Sequence, residues 1–370
     1  MGKIIFTSNS SWSIYNFRKN LLLKLQSLGY QIICVSPKSN YQDKLKELGF
    51  LCRTISINSS STGFMSNIKI LFNLYNTYKD INPDIVMHNA AKPNIYGAII
   101  CRVLNIPAIN NISGLGTLFL NNKISSKFGR YLYRISQKKV HTVFFQNSDD
   151  MSLFIEGNLV KKEQSKLIPG SGVDLVKFKP CKRKQNEVEK FAFIGRLLRD
   201  KGIFEYIQAA ELALKKYKQK CKFYVLGDIY KENPTAVTDQ QLSKWIDKNI
   251  IIYLKKTDLV EEKMKNFDCI VLPSYREGLS KVLLEASAMG IPSITTNVPG
   301  CRDIVEDSQN GFICNAKDVV SLFNSIERFI HLSDEQKNKM SQYSRKKAEE
   351  QFDENIVINS YIKVIRSIKL

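Results

Sequence analysis

The chain has 370 residues, 44% hydrophobic and 24% charged, which excludes a disordered or fibrous protein and suits two domains of ordinary size. Its 55 Lys and Arg outnumber its 35 Asp and Glu, and the net charge of +20 favours an anionic partner, although a lysine-rich surface would give the same charge. No apolar run is long enough to span a membrane, and the start, "MGKIIFTSNSSW", is too polar for a signal peptide. The eight cysteines form no CxxC pair, which is typical of a reduced cytosolic protein.

In the first half of the chain, strand-like apolar runs alternate with helical patterns. This alternation predicts a parallel sheet covered by helices. Two of the helical patterns end at Gly29 and Gly49, where glycine commonly closes a helix. The strand-like runs lie at 3–8, 31–36, 52–57, 84–89, 107–112 and 141–148.

The loop after the first strand, "TSNSSWSIYNFR", is rich in hydroxyl residues. Ser13 and Arg18 lie near its predicted helix start and suit an acceptor diphosphate or sugar, but an ordinary capped helix would explain the same residues. His88 ends the strand "DIVMH" and is a candidate for a ligand-binding crevice, with a structural histidine as the alternative. We interpret His141 and His331 as structural.

A basic amphipathic helix is predicted near 125–139, in "SSKFGRYLYRISQKK". This pattern favours binding to an anionic membrane surface, with a solvated surface helix as the alternative. Just after it, "SDD" at 148–150 is interpreted as a helix cap and not as a metal site. The cations on one face of the helix are Lys127, Arg130, Arg134 and Lys138, and the apolar residues on another are Phe128, Leu132 and Ile135.

A second alternating series follows the charged segment "KPCKRKQNEVEK" at 179–190, which we interpret as a domain boundary. The predicted fold is α/β, with two Rossmann-like, doubly wound parallel-sheet domains, and such sheets bind ligands at the carboxyl ends of their strands. The expected domains are 1–178 and 179–350, with 351–370 forming a helix that packs back on the first. The strand-like runs of the second half lie at 191–196, 221–228, 249–254, 268–274, 292–297 and 311–315.

In the second half, "FIGRLLRDKG" places Gly195 at a strand end, followed by Arg196 and Lys201. Cations neutralise a diphosphate, and glycine lets the backbone approach it. Alone, this motif does not identify a ligand site, because a strand, a glycine and a charged loop also recur in α/β proteins for structural reasons.

The segment "REGLSKVLLEA" holds two carboxylates, Glu277 and Glu285, eight residues apart. A helix is predicted to begin after Ser280, and a helix start attracts phosphate. Glu285 then lies roughly 7 to 8 Å along the axis from Ser280, at about 1.5 Å per residue. This spacing suits a nucleotide sugar, with Glu277 on the sugar and Glu285 on the ribose, and it disfavours an acid and base pair. The alternative is that Glu277 caps the helix and Glu285 is solvated.

Together these motifs resemble retaining glycosyltransferases of family 4, which have the two-domain GT-B architecture with a central crevice. The resemblance is strongest over "FIGRLLRDKG", "LGDIYKENPTA" and "LPSYREGLSKVLLEASAMGIPSITTNVPGCRDIV". The segments "SIYNFR", "KPNIYG" and "SGLGTLF" narrow it to enzymes that extend polyprenyl-diphosphate-linked glycans, such as precursors of capsule, O-antigen or N-linked oligosaccharide. A UDP-sugar donor is implied, carrying an N-acetylhexosamine or a 6-deoxy relative.

The resemblance also implies roles for individual residues. Glu277, Arg196 and Lys201 would be the catalytic residues, acting by positioning and by charge, and the leaving phosphate oxygen would take the acceptor's proton. The chain departs from many family members at Lys255, where they have glycine, and at Ser113, where they have histidine. The implied donor-binding residues are Gly195, Arg196, Lys201, Glu277, Gly278, Leu279, Ser280 and Glu285, and the implied acceptor-binding residues are Ser13, Arg18, His88, Lys92, Ser113 and Gly114.

No metal or other cofactor is expected, and the protein is expected in the cytoplasm, attached to the inner face of the membrane. Two other functions stay open. A UDP-N-acetylhexosamine 2-epimerase can share the architecture, but it needs facing carboxylates in both domains. A nucleic-acid-binding protein would explain the charge, but here the aromatic residues lie mostly inside apolar patterns, so no nucleic-acid partner is expected.

Overall fold

The computed structural model describes residues 2–57, 64–115, 124–180 and 188–368. The chain divides into two compact units. Unit 1 comprises Met1–Ser171 with Asn355–Leu370, and unit 2 comprises Gly172–Glu354. Among the described residues, no helix is long and apolar enough to cross a membrane.

The unit boundaries differ slightly from the expected ends at 178 and 350. Unit 2 begins at Gly172 because the backbone of Val173 bridges to Asp353, and its N–H donates to the carbonyl of Phe352 at 2.8 Å. Phe178 is also buried in the core of unit 2. The charged segment that suggested the boundary therefore lies inside unit 2.

Unit 1 contains a seven-stranded parallel sheet, in the order β3-β2-β1-β4-β5-β6-β7. The third and sixth strands end three residues earlier than predicted, and one strand is new. The third strand begins one residue earlier and ends at Thr54, and the short seventh strand is new, because "SKL" has no apolar run to predict it. The strands are β1 (Lys3–Ser8), β2 (Gln31–Ser36), β3 (Leu51–Thr54), β4 (Ile85–Asn89), β5 (Ala108–Ile112), β6 (Thr142–Phe145) and β7 (Ser165–Leu167).

Helices cover both faces of this sheet. The first, second and last helices bury their apolar side chains in one cluster, and the third to sixth bury theirs in another. A π-helical turn at Pro93–Gly97 precedes the fourth helix. The helices of unit 1 are α1 (Ser11–Ser27), α2 (Tyr41–Glu47), α3 (Phe64–Ile81), α4 (Ala98–Val103), α5 (Ile124–Ser136), α6 (Ser148–Glu156) and α13 (Glu354–Ser367).

Unit 2 contains a six-stranded parallel sheet in the order β10-β9-β8-β11-β12-β13. Every strand overlaps a run predicted from the sequence, although β8 begins two residues earlier and β10 ends one residue later. The strands are β8 (Glu189–Ile194), β9 (Cys221–Gly227), β10 (Ile252–Lys255), β11 (Cys269–Leu272), β12 (Ser293–Thr296) and β13 (Gly311–Cys314). The helices are α7 (Ile203–Tyr217), α8 (Asp239–Asp247), α9 (Val260–Met264), α10 (Lys281–Ala288), α11 (Val319–Ile330) and α12 (Asp334–Lys347).

Candidate functional site

The candidate site in unit 2 begins at the carboxyl ends of β8 and β9, where two glycines meet. The N–H of Gly195 donates to the carbonyl of Leu226 at 3.0 Å. A Cβ atom on Gly227 would lie 1.9 Å from the carbonyl oxygen of Gly195, so only glycine fits there. The next residue, Arg196, is exposed, and its guanidinium lies 5.8 Å from the ring centroid of Tyr230. The packing of the two strand ends thus presents a cation at the surface.

Lys201 lies beside Glu277 because the backbone makes a close turn at Gly202. Gly202 has φ of 76°, and a Cβ atom there would lie 2.1 Å from the carbonyl oxygen of Pro273. The turn therefore packs directly on the loop that follows β11. Lys201 and Glu277 form an ion pair, and their side chains are 19% and 13% exposed. The pairing brings together two residues that are 76 positions apart in the sequence.

The loop that carries Glu277 is held by backbone hydrogen bonds to its neighbours. The N–H of Tyr275 donates to the carbonyl of Asp200 at 2.9 Å, and that of Glu277 donates to the carbonyl of Pro299 at 3.1 Å. Gly300 has φ of 77° and packs on the same loop, where a Cβ atom would lie 2.6 Å from the carbonyl oxygens of Glu277 and Gly278. These contacts fix the position of the Glu277 backbone without any help from a ligand.

One backbone N–H group that was predicted to bind a phosphate already donates a hydrogen bond within the protein. The N–H of Ser280 was expected to face a phosphate, but it donates to the carbonyl of Gly300 at 2.9 Å. Leu279 and Gly278 lie in the same turn before α10. The side chain of Ser280, the residue that precedes α10, makes no capping hydrogen bond to this helix. The first turn of α10 still directs the positive end of its dipole towards the loop of Glu277.

Glu285 lies on α10, about one turn beyond Lys281. Burial raises the pKa of Glu285 to about 7, while the cations of Lys281 and Lys177 lower it and Glu261 raises it further. The alternative of a fully solvated Glu285 is therefore wrong. Lys281 also donates to the carbonyl of Gly172 at 2.8 Å, and Lys177 lies 3.3 Å from Glu261.

The sequence analysis missed both lysines around Glu285. Lys281 could have been found, because a residue four positions before Glu285 lies on the same helix face. Lys177 could not, because it lies more than a hundred positions away in sequence and reaches the site only through the fold. Together they give the buried carboxyl group cationic surroundings.

Replacing Glu285 by Gln is expected to stabilise unit 2 at alkaline pH. The folded pKa of about 7 exceeds the ordinary 4.5, so the stability linked to the bound proton is complete below pH 4.5 and is lost as the pH rises through 7. The variant should therefore unfold with a free energy about 1 to 3 kcal/mol higher at pH 8 and nearly unchanged at pH 4.5, as urea titrations would measure. Glu262→Gln, at an exposed ion pair, is the control. An equal difference at both pH values would contradict this assignment.

In unit 1, the start of α1 contains both the predicted residues and an ordinary cap. Ser10 caps the helix, and Ser13 makes a 2.8 Å hydrogen bond with the hydroxyl of Ser8 at the end of β1. Arg18 is only 3% exposed, and its guanidinium lies 5.7 Å from the ring centroid of Tyr361. Its buried Nε has no hydrogen-bond partner in the described part of the chain. An arginine in this position is costly for the fold and is suited to an anionic ligand.

Asn111 extends this group and was missed by the sequence analysis. Its side-chain amide donates to the hydroxyl of Tyr361 at 3.1 Å, and its oxygen accepts from Gln146 at 3.3 Å. Asn111 lies one residue before the carboxyl end of β5, and Gln146 directly follows β6, at the edge where α/β sheets bind ligands. The run "NN" within an apolar strand was a usable signal, because buried amides need partners.

His88 fits the structural alternative, because its side chain is buried and does not face a crevice. It is 1% exposed, donates or accepts at 2.7 Å with Asn110 and 3.1 Å with Tyr78, and burial lowers its pKa to about 4. A Cβ atom on Gly97 would lie 2.2 Å from its Nε2, so the ring packs on the π-helical turn. The strand position was correct, but the side chain points into the core. His88 is a structural residue, and it is withdrawn from the acceptor-binding set.

The remaining predicted residues of unit 1 lie near the same strand edge or on α5. Lys92 is half-buried before the π-helical turn, and burial lowers its pKa. Ser113 is exposed after β5 and is followed by Gly114 with φ of 128°. The rest of the motif "SGLGTLF" beyond 115 lies outside the described residues.

Helix α5 confirms a helical segment at the predicted position. Arg130 and Arg134 are exposed, and with Tyr131 and two leucines of the following segment they line a cavity of about 350 Å³. The side chains of Lys127 and Phe128 lie outside the described residues. A group of cations beside an apolar cavity suits an anionic ligand with apolar parts.

Within the described ranges, no group of three or more His, Cys, Asp or Glu side chains is placed to hold a metal ion. The predicted cap at "SDD" needs a small correction. Asn147 is the residue that caps α6, since its side chain accepts from the N–H of Asp150 at 2.8 Å. Asp149 and Asp150 follow in the first turn, where carboxylates favour the helix dipole.

Comparison with known protein families divides the chain in the same way. Residues 3–147 match the model described as "Glycosyl transferase 4-like", and residues 177–347 match the model "Glycosyl transferases group 1". The second match contains Arg196, Lys201, Glu277 and Glu285. Each match lies within one of the two units.

Two characterised relatives and one solved structure extend the comparison. The chain is 25% identical over 379 positions, covering 98% of both proteins, to the N,N'-diacetylbacillosaminyl-diphospho-undecaprenol α-1,3-N-acetylgalactosaminyltransferase of Campylobacter jejuni. It is 26% identical to the UDP-Gal:α-D-GlcNAc-diphosphoundecaprenol α-1,3-galactosyltransferase of Escherichia coli, covering 83% of this chain and 81% of the relative. The structure of Alr3699/HepE from Anabaena, in complex with UDP and glucose, superimposes with a TM-score of 0.81 at 17% identity, covering 100% of both chains, and shares the fold.

Proposed function

Since this chain belongs to the glycosyltransferases of GT-B fold, whose group 1 and 4-like regions it contains, we propose that it moves a sugar from a UDP-sugar to a polyprenyl-diphosphate-linked saccharide. The names of its relatives support this acceptor class, because both act on undecaprenyl-diphosphate-linked sugars. An N-acetylhexosamine or a 6-deoxy relative is the proposed donor sugar. We propose retention of the anomeric configuration, with the product serving surface polysaccharide or glycan synthesis.

The observation that carries the proposal is the ion pair of Lys201 and Glu277 beside the first turn of α10. Lys201 and Arg196 supply positive charge for a diphosphate, and the helix dipole adds to it. Glu277 can accept hydrogen bonds from sugar hydroxyls while Lys201 holds its carboxylate in place. Glu285 lies about one turn farther along the same helix, where a ribose would reach it.

These positions support a mechanism that works by positioning and charge. As the bond from the sugar to the diphosphate breaks, negative charge grows on the leaving oxygen, and Arg196 and Lys201 stabilise that charge. The leaving oxygen then takes the proton of the attacking acceptor hydroxyl on the same face of the sugar. Glu277 needs no proton transfer for this role, and its pairing with Lys201 keeps it as an acceptor of hydrogen bonds.

For the acceptor, we propose a site on unit 1 around Arg18. Its buried Nε without a partner in the described chain is the strongest sign of an anionic ligand. Tyr361 lies beside the guanidinium, and its hydroxyl accepts a hydrogen bond from Asn111. Ser13 lies in the first turn of α1, Lys92 lies just before the π-helical turn, and Ser113 and Gly114 follow β5. A diphosphate linked to the acceptor sugar is the proposed ligand of Arg18.

Replacing His88 by Gln is expected to destabilise unit 1 without removing transfer. The ring packs on Gly97 and joins Tyr78 to Asn110, so the free energy of unfolding should fall by about 1 to 3 kcal/mol. The rate of transfer below the unfolding transition should stay within about threefold of the unmodified enzyme. Urea titration and initial rates at low temperature would measure both. A large loss of rate with unchanged stability would place His88 in the acceptor site after all.

We propose that the enzyme works at the inner face of the cell membrane, in the cytoplasm. Arg130 and Arg134 of α5 line a cavity of about 350 Å³ and would bind anionic lipid headgroups. A lipid-linked acceptor makes such attachment useful, because it keeps the enzyme where the substrate is.

The proposed donor is best tested by thermal denaturation with a panel of nucleotide sugars. A ligand that binds only the folded protein raises its stability according to its concentration and affinity. We expect a UDP-sugar to raise the thermal unfolding midpoint of unit 2, and free UDP to raise this midpoint by a smaller amount. ADP- and GDP-sugars should have little effect. A panel in which no UDP compound shifts the midpoint would contradict the proposal.

A further inference from the structure

Helix α3 exposes a row of large apolar side chains. Met65 is 75% exposed, Phe72 64% and Ile68 43%. We call these three residues the outer stripe of α3. Single exposed apolar residues are common on protein surfaces, but three on one face of one helix form a patch. Nothing in the described part of the chain covers them.

The outer stripe lies opposite the side of α3 that packs on the sheet. At about 100° per residue, Met65 and Phe72 point within roughly 20° of each other. Leu74, which is fully buried, points about 160 to 180° away from them, and Ile70 and Tyr78 are buried on the same inner side. A helix that is apolar on both sides is normally covered on both sides. Only the inner side of α3 has its cover in the core of unit 1.

The charges around the stripe identify what would cover it. Helices α3 to α6 pack on the same face of the sheet of unit 1, and α6 carries Asp149, Asp150 and Glu156, of which Asp150 is buried. The sequences of α3, α4 and α5 carry a single acidic residue, Asp80, against six cations, so the face remains positive in sum. Two copies of such a surface would repel each other, whereas an anionic bilayer would attract it. The cations of these three helices are Lys69, Lys79, Arg102, Lys127, Arg130 and Arg134.

We propose that the outer stripe of α3 inserts into the surface of an anionic lipid bilayer. The helix then lies in the membrane plane, with its apolar stripe among the acyl chains and Lys69 and Lys79 at the headgroups. This contact is separate from the cavity beside α5, which is lined by Arg130, Tyr131 and Arg134 together with two leucines. Its role rests on the proposed function, because a lipid-linked acceptor gives the enzyme a reason to enter the bilayer surface.

The first test is sedimentation with vesicles. The full chain should bind vesicles of phosphatidylcholine mixed with phosphatidylglycerol, and bind pure phosphatidylcholine far less. A variant with Met65→Ser and Phe72→Ser should lose affinity for the mixed vesicles by on the order of tenfold or more, because two apolar side chains no longer leave water. Val320→Ser is the matched control, since Val320 is 61% exposed on helix α11 of unit 2. Equal binding by the double variant and the unmodified protein would overturn the proposal.

The second test reports the position of the stripe directly. Phe72→Trp should show fluorescence that shifts to the blue on adding the mixed vesicles and that is quenched by lipids brominated on their acyl chains. Val320→Trp should show neither effect. An unquenched Trp at 72 would overturn the proposal, as would a shift that appears without vesicles and grows with protein concentration, which would indicate pairing of two copies.

These tests separate the stripe from the proposed activity. The double variant should keep the full shift of the unfolding midpoint with UDP, because the stripe belongs to unit 1 and the proposed donor residues belong to unit 2. If UDP stabilises the protein but the stripe variants bind vesicles normally, only the present inference fails. If no nucleotide sugar binds but the stripe still inserts, the proposed function fails and the membrane contact stands.

Discussion

Glu277→Gln is expected to lower kcat for sugar transfer by about a hundredfold or more. Glutamine keeps the size of the side chain but loses the charge that pairs with Lys201 and that strengthens hydrogen bonds from sugar hydroxyls. The NH2 group of the glutamine is a hydrogen-bond donor, so it cannot accept a hydrogen bond from those hydroxyls. Initial rates at saturating donor would measure the effect.

The same substitution at Glu262 provides the control, because its ion pair with Lys265 is exposed. Glu262→Gln should transfer at the normal rate. The circular dichroism and the unfolding midpoint of Glu277→Gln should remain close to those of the unmodified enzyme, since the loop is held by backbone hydrogen bonds to Pro299 and Gly300. A Glu277→Gln enzyme with normal kcat would remove Glu277 from the reaction.

Arg196→Ala is expected to lower kcat/KM by about a hundredfold or more and to weaken the binding of UDP. The guanidinium is exposed beside Tyr230, so it contributes little to stability and is available to a diphosphate. Calorimetric titration with UDP and steady-state rates would measure the two effects. Arg196→Lys should recover part of the loss, because it keeps the charge but not the paired N–H groups.

Arg199 is the matched control for Arg196. It is exposed in the same loop, but its guanidinium lies 4.6 Å from the ring centroid of Phe204. Arg199→Ala should therefore bind UDP nearly as well as the unmodified enzyme. If both alanine variants lose UDP equally, the effect comes from the total charge of the loop and the specific role of Arg196 is wrong.

The sequence predicts the framework of unit 2 well because its strands are buried on both faces and read as apolar runs. Cys269–Leu272 and Ser293–Thr296 are examples. The short strand Ser165–Leu167 has no such run, and its place at the sheet edge depends on pairing with β6, which only the fold supplies. The segment 179–190 suggested a boundary from its charge, whereas the backbone pairing of Val173 with Asp353 decides it.

In the candidate site, too, the sequence predicts local features but not the contacts that depend on the fold. The spacing of Glu277 and Glu285 is a local property, and a helix between them follows from it. The bond from Ser280 to Gly300 depends on a loop twenty positions later, so the sequence could not show that this amide is already used. His88 illustrates the same limit, because its strand position indicates one of two sheet faces but not what packs there.

Lys201 and Glu277 were predicted as separate contacts to phosphate and to sugar, and the structure pairs them. This changes the interpretation of the two carboxylates of "REGLSKVLLEA". Glu277 has a cation at its side, and Glu285 is half-buried with its pKa raised to about 7, so the two occupy different environments. Different environments suit different parts of one elongated ligand.

The most direct test of the account is a transfer reaction with defined substrates. The enzyme would be incubated with UDP-N-acetylgalactosamine or another UDP-sugar and an undecaprenyl-diphosphate-linked saccharide, and the lipid product would be analysed by mass spectrometry and NMR. The account predicts one added sugar in α linkage and no change in the UDP-sugar when the acceptor is left out. Conversion of the UDP-sugar to its 2-epimer without acceptor, or no transfer from any UDP-sugar, would contradict it.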